Sequence, residues 1–135
     1  SKLAGYDQVK REVTFEDSRF DIYAENSKEQ LFVEVKNVTL KQGPYALFPD
    51  AITKRGKKHL ESLIRVKEQG IRAAMLYVIQ RTDVEIFAPA WNIDPEYAKT
   101  LAKAYDKGVE IIPVQAKVTP EEIYISKELP FELNG

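Results

Sequence analysis

The sequence contains no cysteine and only one histidine among its 135 residues. Without cysteine the chain can form no disulfide, no thiolate metal site and no cysteine nucleophile. With a single histidine it also has no histidine cluster of the kind that binds zinc. The absence of cysteine is compatible with a reducing compartment, and we expect the protein to be cytoplasmic.

Long hydrophobic runs and a dominant charge are missing as well. No apolar run approaches the roughly 20 residues that a membrane-spanning helix needs, and the N-terminus does not resemble a signal peptide, so we expect no contact with a membrane. Twenty basic and 21 acidic residues give a formal net charge of −1. Because tight non-specific binding of nucleic acids depends on neutralising phosphates, any DNA contact must come from local basic patches.

What is present is the composition of a globular domain, with 44% hydrophobic and 30% charged residues. The length is that of one domain with a substantial core. The glycines form neither a Walker loop nor a dinucleotide-binding motif. We therefore expect a single domain over residues 1–135 without a small-molecule cofactor; the sequence does not predict the oligomeric state.

The pattern along the chain predicts the order hairpin, helix, strand, strand, helix, strand. Residues 3–13 are compatible with a short helix or an extended lead-in, and residues 37–50, with two prolines, predict an irregular connection. The predicted elements are strands at 19–25 and 31–38, a helix at 52–69, strands at 73–79 and 84–88, a helix from Asp94-Pro95 to Gly108, a strand at 109–118 broken or edged by Pro113, and a short strand and tail at 123–133.

The helix at 52–69 lies between two apolar strands, which is typical of a parallel β-α-β crossover. The stripe Leu60, Leu63 and Ile64 predicts its buried face, and Tyr97, Leu101, Ala104 and Tyr105 predict that of the second helix. The fold class is α/β, with a mixed β-sheet flanked by helices.

The hairpin carries the first candidate site. If its loop is 26–29, the antiparallel register places Asp21 opposite Glu34. Alternate residues share a face of a strand, so Lys36 lies beside Glu34. Two carboxylates and an ammonium then meet on one patch. Alternating charges on a strand also commonly form nothing more than a solvated face, and this interpretation stays open.

The residue types suit Mg²⁺-dependent phosphate chemistry. Asp21 and Glu34 supply the hard oxygen ligands that Mg²⁺ or Mn²⁺ prefers, and Lys36 is suited to orient a water or to stabilise charge that develops on phosphorus. Glu12 is a possible accessory carboxylate. The pattern Asp21, then Glu34 and Lys36 at ExK spacing, is similar to the PD-(D/E)XK motif of restriction-endonuclease-like proteins.

A basic segment opens the helix at 52–69. Lys54, Arg55 and Lys58 are candidates for contact with DNA phosphates, although a solvated helix face is the more common outcome of such a pattern. His59, the single histidine, is interpreted as structural.

Several strings of the sequence together resemble one family. They are SRFD, FVEVKNVTL, FPDAITKRGKKHLESL, GIRAAMLYVIQR, IFAPAWNIDPEYAKTLAKA and GVEIIP, and the resemblance, which runs from about Leu3 to Leu133, is to the sugar fermentation stimulation protein (SfsA) family. It implies a restriction-endonuclease-like core with Asp21, Glu34 and Lys36 as its motif. It also implies an N-terminal OB-fold-like domain, which we expect to be absent from this chain.

The resemblance further implies a DNA-binding protein linked to regulation of sugar, especially maltose, metabolism. Three functions follow as hypotheses: a Mg²⁺-dependent DNA endonuclease, a non-catalytic DNA-binding transcriptional regulator on a nuclease scaffold, and a protein-interaction domain with a charged hairpin. Retention of the three motif residues favours the first.

Overall fold

The structure, a computed structural model, describes residues 5–118 and 123–134. Within these residues it has two helices and nine strands in two sheets. The helices are α1 (Lys54–Glu68) and α2 (Pro95–Asp106), and the strands are β1 (Gln8–Phe15), β2 (Ser18–Glu25), β3 (Gln30–Val38), β4 (Leu40–Gln42), β5 (Tyr45–Phe48), β6 (Arg72–Ile79), β7 (Ile86–Pro89), β8 (Glu110–Val118) and β9 (Ile123–Glu128).

The larger sheet has six strands in the order β1-β2-β3-β6-β8-β9. β3, β6 and β8 run parallel to one another, whereas β1 with β2, β2 with β3, and β8 with β9 pair antiparallel. β6 is central, and residues 73–79 are all buried, as expected for a parallel strand that is covered on both faces. The mixed sheet and the parallel β3-α1-β6 unit predicted from the sequence are confirmed.

The predicted hairpin register is also confirmed. Ile22 pairs with Val33, and Glu25 pairs with Gln30 at the start of the four-residue loop. Asn26 shapes this loop, because its side-chain oxygen accepts hydrogen bonds from the backbone amides of Lys28 and Glu29. An asparagine that mimics a backbone turn in this way favours a tight connection between two strands.

α2 begins at the predicted residue, Pro95, whereas α1 begins at Lys54, two residues later than predicted. The Thr53 hydroxyl accepts from the Gly56 amide at the start of α1, and Asp94 accepts from the Tyr97 amide at the start of α2, with Pro95 in the first turn. Asp94 also accepts from the Thr53 amide at 2.9 Å. One carboxylate therefore joins the N-terminal ends of the two helices.

The buried side chains of both helices belong to one core on one face of the large sheet. This core includes Leu60, Leu63, Leu101 and Ala104 of the helices, and it contains Met75 and Tyr77 of β6. Tyr105 was predicted to be buried but is 49% exposed. Its ring instead packs edge-on against Phe131, with the ring centroids 5.5 Å apart.

Three other predictions need correction. Residues 37–50 are not irregular, because β4 and β5 form a second sheet with β7. Residues 8–15 form strand β1, so the extended alternative holds there and the helical one is wrong. Pro113 neither breaks β8 nor lies on an edge strand: it pairs with Tyr77 of β6, and its carbonyl accepts from the Leu129 amide.

No helix among the described residues is long and apolar enough to cross a membrane.

Candidate active site

Strand β2 changes face at Asp21. In a regular strand Phe20 and Ile22 would share a face, yet Phe20 lies in the core beneath the helices and Ile22 packs against the cluster on the opposite face of the sheet. The pairing of β2 with β3 is regular up to Ile22 and Val33. Beyond that point the end of the β1–β2 hairpin turns towards α1.

Contacts with α1 hold the turned end of the hairpin. Arg65 of α1 donates to Glu16 at 3.1 Å and to Asp17 at 3.2 Å. Nearby, the buried hydroxyl groups of Ser18 and Ser62 contact each other. A cleft of about 130 Å³ opens between the hairpin and the helix, and its lining residues are Glu12, Arg19, Phe20, Asp21, Glu34, Arg55 and His59.

Two of the three predicted motif residues, Asp21 and Glu34, line this cleft, and Lys36 lies close to both carboxyl groups. Because the strands separate here, the Val35 amide is available to donate a 2.8 Å hydrogen bond to Asp21 Oδ2. The carboxyl group of Glu34 lies within hydrogen-bonding reach of the Asp21 carboxyl group. Lys36 follows on the same face of β3, and its ammonium donates to His59 Nδ1 at 3.3 Å.

Glu34 is a buried carboxyl group, with 2% of its side chain exposed. Its Oε2 atom touches His59 Nδ1, but the contact does not have the geometry of a hydrogen bond, and Oε2 has no hydrogen-bond partner. Burial, followed by the hydrogen bond and the charge of Asp21, raises the pKa of Glu34 to about 8.

The neighbouring groups shift in the opposite direction. Burial alone would raise the pKa of Asp21, but hydrogen bonds from Glu34 and from the Val35 amide outweigh burial and lower this pKa. Burial and then the charges of Lys36 and Arg55 lower the pKa of His59 to about 4. At neutral pH the imidazole is therefore neutral, and the Glu34–His59 contact is not an ion pair.

The other predicted residues lie at different distances from this centre. Glu12 faces Asp21 at a gap in the β1–β2 pairing, and its carboxylate forms a 3.2 Å ion pair with Arg19. Arg55 lines the cleft, and Lys58 is close enough to contribute to the low pKa of His59. Lys54 instead lines a separate cleft between the N-terminal ends of α1 and α2.

Two side chains of the cleft were not assigned to it from the sequence. His59 contacts both Glu34 and Lys36. Its spacing of four residues from Arg55 placed both on one helical face, and this was the available signal. Arg19 enters the cleft lining only because the hairpin turns at Asp21.

The residues present offer two carboxyl groups to a hard cation. In the described part of the chain, no group of three or more His, Asp and Glu side chains could hold a metal ion by itself. This fits Mg²⁺, which keeps several waters and is commonly held by one or two carboxylates together with phosphate oxygens. Of the two carboxyl groups, that of Glu34 has a buried oxygen, Oε2, which accepts no hydrogen bond.

The relationship of the chain to known proteins follows from its match to one family. The sequence model described as "Sugar fermentation stimulation protein RE domain" matches residues 1–122. The chain belongs to this family. The fold predicted from the sequence, α/β with a restriction-endonuclease-like core, is confirmed.

Individual members of the family agree with the match. The chain is 47% identical to a "Sugar fermentation stimulation protein homolog" of Pelobacter propionicus, over 96% of this chain and 56% of the relative, and 46% identical to that of Geobacter metallireducens, over 96% and 57%. The chain thus spans about half the length of these curated relatives.

A solved structure gives the same result for the fold. The structure of Pyrococcus furiosus SfsA in complex with Ca²⁺ matches with a TM-score of 0.83 and 35% sequence identity, over 91% of this chain and 54% of that one. The backbone of this family member therefore has the same course as the chain described here.

Proposed function

We propose that this chain is the nuclease-like domain of a DNA-binding protein, with a Mg²⁺- or Mn²⁺-dependent phosphodiesterase site at Asp21, Glu34 and Lys36. The observation that carries the proposal is the buried carboxyl group of Glu34, which has an unpartnered oxygen beside a second carboxyl group. An arrangement of this kind costs folding free energy, because a buried polar atom without a partner loses its hydration.

A hard cation between the two carboxyl groups would remove that cost. Asp21 would offer Oδ1, since Oδ2 accepts from Val35, and Glu34 would offer Oε2. Once bound, the ion would polarise a phosphoryl oxygen and lower the pKa of a water. The Pyrococcus furiosus protein was solved in complex with Ca²⁺, which takes the same oxygen ligands as Mg²⁺, and this supports the choice of ion.

Lys36 has the second role in the proposal. One of its three N–H donors is used on His59, so two remain for a phosphate oxygen or a water in the cleft. An ammonium at this place stabilises the negative charge that develops on the phosphoryl oxygens during hydrolysis.

Arg55 and Lys58 are the residues that we propose to contact the DNA backbone. Arg55 lines the cleft and Lys58 lies near His59, and the contacts of the described residues give neither of them an ion-pair partner. Because the chain has a net charge of −1, affinity depends on such local contacts, and it should fall steeply with salt. Lys54 lies away from the cleft, and we expect a smaller contribution from it.

The experiment is cleavage of labelled single-stranded, duplex and branched DNA with Mg²⁺ or Mn²⁺. We expect cleavage that Glu34→Gln and Lys36→Met each reduce by about 100-fold or more, within the range of general catalytic contributions. Glu61→Gln is the matched control, since it removes an exposed carboxylate from α1 and should have no effect. If neither this chain nor a full-length relative cuts any of these substrates, the catalytic proposal fails.

The alternative is a non-catalytic DNA-binding transcriptional regulator on the same scaffold. Arg55 and Lys58 favour it, because these two cations have no ion-pair partner among the described residues and contact with phosphates needs no metal ion. It predicts salt-sensitive DNA binding that survives Glu34→Gln but weakens when Arg55 and Lys58 are changed to glutamine. Binding that ignores both salt and these two side chains would rule it out.

For the whole protein we propose regulation of sugar metabolism, particularly that of maltose, in line with the name that its relatives carry. An OB-fold-like domain in the remaining part of such relatives would supply a further nucleic-acid groove. We also propose a cytoplasmic location, where a DNA-binding protein would meet its substrate.

A further inference from the structure

We propose that His59 is a positioning residue whose Nδ1 atom holds the Lys36 ammonium beside the carboxyl groups of Asp21 and Glu34. The expected effect on DNA cleavage rests on the function proposed above, whereas the contact itself can be tested without any cleavage.

The direction of the hydrogen bond between Lys36 and His59 supports this role. An ammonium only donates, so the 3.3 Å contact between Lys36 Nζ and His59 Nδ1 requires a lone pair on Nδ1. The ring must then carry its proton on Nε2. The proposal therefore specifies the tautomer of the single histidine, because a ring with a proton on Nδ1 could not accept from Lys36.

The contact with His59 also anchors the Lys36 side chain. Within residues 5–118 and 123–134, the ammonium has no ion pair with a carboxylate, and its only hydrogen bond is the one to His59. A lysine side chain has several rotatable bonds and about 2 kcal/mol of rotamer entropy. Without the acceptor, the ammonium would spend much of its time in the solvent.

His59 itself is held in place by the helix on which it lies. Its side chain is 13% exposed, and it precedes Leu60, which is fully buried in the core. The helix start is fixed as well, through the Thr53 cap and the bond from Thr53 to Asp94. An imidazole on this helix is therefore a fixed acceptor beside a flexible strand side chain.

The same ring lies against the Glu34 carboxyl group through its Nδ1 atom. The imidazole therefore lies against both predicted catalytic side chains of β3. Position in the cleft matters because an interaction contributes to the rate only when the group is already at the reacting centre.

The direct test uses the fact that the chain has one histidine. In a long-range ¹H–¹⁵N spectrum of the labelled protein at pH 7, we expect the Nε2–H tautomer and an Nδ1 signal that shifts in Lys36→Met. Lys57→Met removes a positive charge from the same helix and should leave the Nδ1 signal unchanged. An Nδ1–H tautomer, or equal responses to the two variants, would overturn the proposal.

The functional test uses two amides of different reach. The side-chain oxygen of His59→Asn can occupy the place of Nδ1, whereas that of His59→Gln reaches further, towards the place of Nε2. We expect kcat for DNA cleavage to stay within about 3-fold in His59→Asn and to fall by about 10-fold in His59→Gln, with KM unchanged in both.

Equal losses of kcat in the two variants at matched folded fractions would contradict positioning through Nδ1. If no DNA is cleaved by the wild-type protein, the proposed function fails while the nitrogen spectrum still decides the contact.

Discussion

The Val35 amide donates a 2.8 Å hydrogen bond to the carboxylate of Asp21 at the point where strands β2 and β3 separate. A side chain that is predicted to bind a cation thus also replaces a lost backbone partner. Because Asp21 has both roles, Asp21→Asn and Asp21→Ala should differ in their effects on stability and on cation binding.

Asp21→Asn should keep the fold and lose the cation. The asparagine oxygen can still accept from Val35, so we expect a melting temperature close to that of the wild type, together with at least a roughly 10-fold loss of Ca²⁺ or Mn²⁺ affinity. Asp21→Ala should lose the hydrogen bond as well and about 1 kcal/mol of stability. Thermal melts and calorimetric metal titrations measure the two effects. Equal stability of both variants would show that the Val35 bond contributes little.

The stability of the metal-free protein should fall between about pH 6.5 and pH 8. The pKa of Glu34 rises from about 4.5 to about 8 on folding, so in this range the folded protein keeps a proton that the unfolded chain releases. Stability that is fully present below the unfolded pKa is then lost as the pH rises. The limiting slope is about 1.4 kcal/mol per pH unit.

His59 restricts this effect to the upper part of the range. Its pKa is lowered from about 6.5 to about 4, so its contribution to stability increases with pH up to about 6.5 and opposes that of Glu34 there. Urea denaturation with a chelator present measures the profile. Glu34→Gln should flatten it above pH 6.5, and a wild-type profile that is already flat would contradict the raised pKa.

Gly56→Ala should destabilise the protein although alanine favours helices by up to about 1 kcal/mol. An added Cβ would lie 2.8 Å from Thr53 Cγ2 and 3.1 Å from Tyr97 Cε2, and overpacking of this kind typically costs about 1–3 kcal/mol. Chemical denaturation measures the change. Combining it with Thr53→Ser, which removes the methyl group and keeps the capping hydroxyl, should restore part of the loss. An unchanged or increased stability of Gly56→Ala alone would show that α1 and α2 can separate at no cost.

The buried hydroxyl groups of Tyr77 and Tyr97 should behave as a coupled pair. They are 2.6 Å apart and both side chains are fully buried, so removing either hydroxyl strands the other. We expect Tyr77→Phe and Tyr97→Phe each to cost about 1–2 kcal/mol, and the double variant to cost less than their sum. A double-mutant cycle in urea tests this, and strict additivity would mean that the hydroxyl groups do not interact.

The sequence predicted those features that depend on neighbouring residues. The hairpin register follows from the turn that begins at Asn26, and the start of α2 follows from the Asp94-Pro95 pair. The second sheet was not predictable in this way, because β5 finds its parallel partner β7 about 40 residues later, and the prolines at 44 and 49 favour a loop interpretation.

The candidate site likewise has a part that the sequence predicts and a part that depends on tertiary packing. Strand alternation and register brought Asp21, Glu34 and Lys36 together in advance. The places of His59 and Lys54 depend on how α1 crosses the hairpin, and the cleft depends on the change of face at Asp21. Helical spacing placed Tyr105 on the buried face of α2. Spacing alone does not show how far the C-terminal tail covers this face, and the ring of Tyr105 remains 49% exposed beside Phe131.

The hydrogen bond from Val35 to Asp21 also affects what a retained aspartate at this position means in other members of the family. Selection for a folded hairpin would preserve an aspartate or asparagine at this position even in a protein that had lost every chemical activity. Glu34 also accepts a hydrogen bond from the Asp21 backbone amide, but its buried and unpartnered Oε2 atom lowers the stability of the fold unless something binds there. In a comparison across species, retention of the glutamate would therefore indicate a functional site, whereas retention of the aspartate would not.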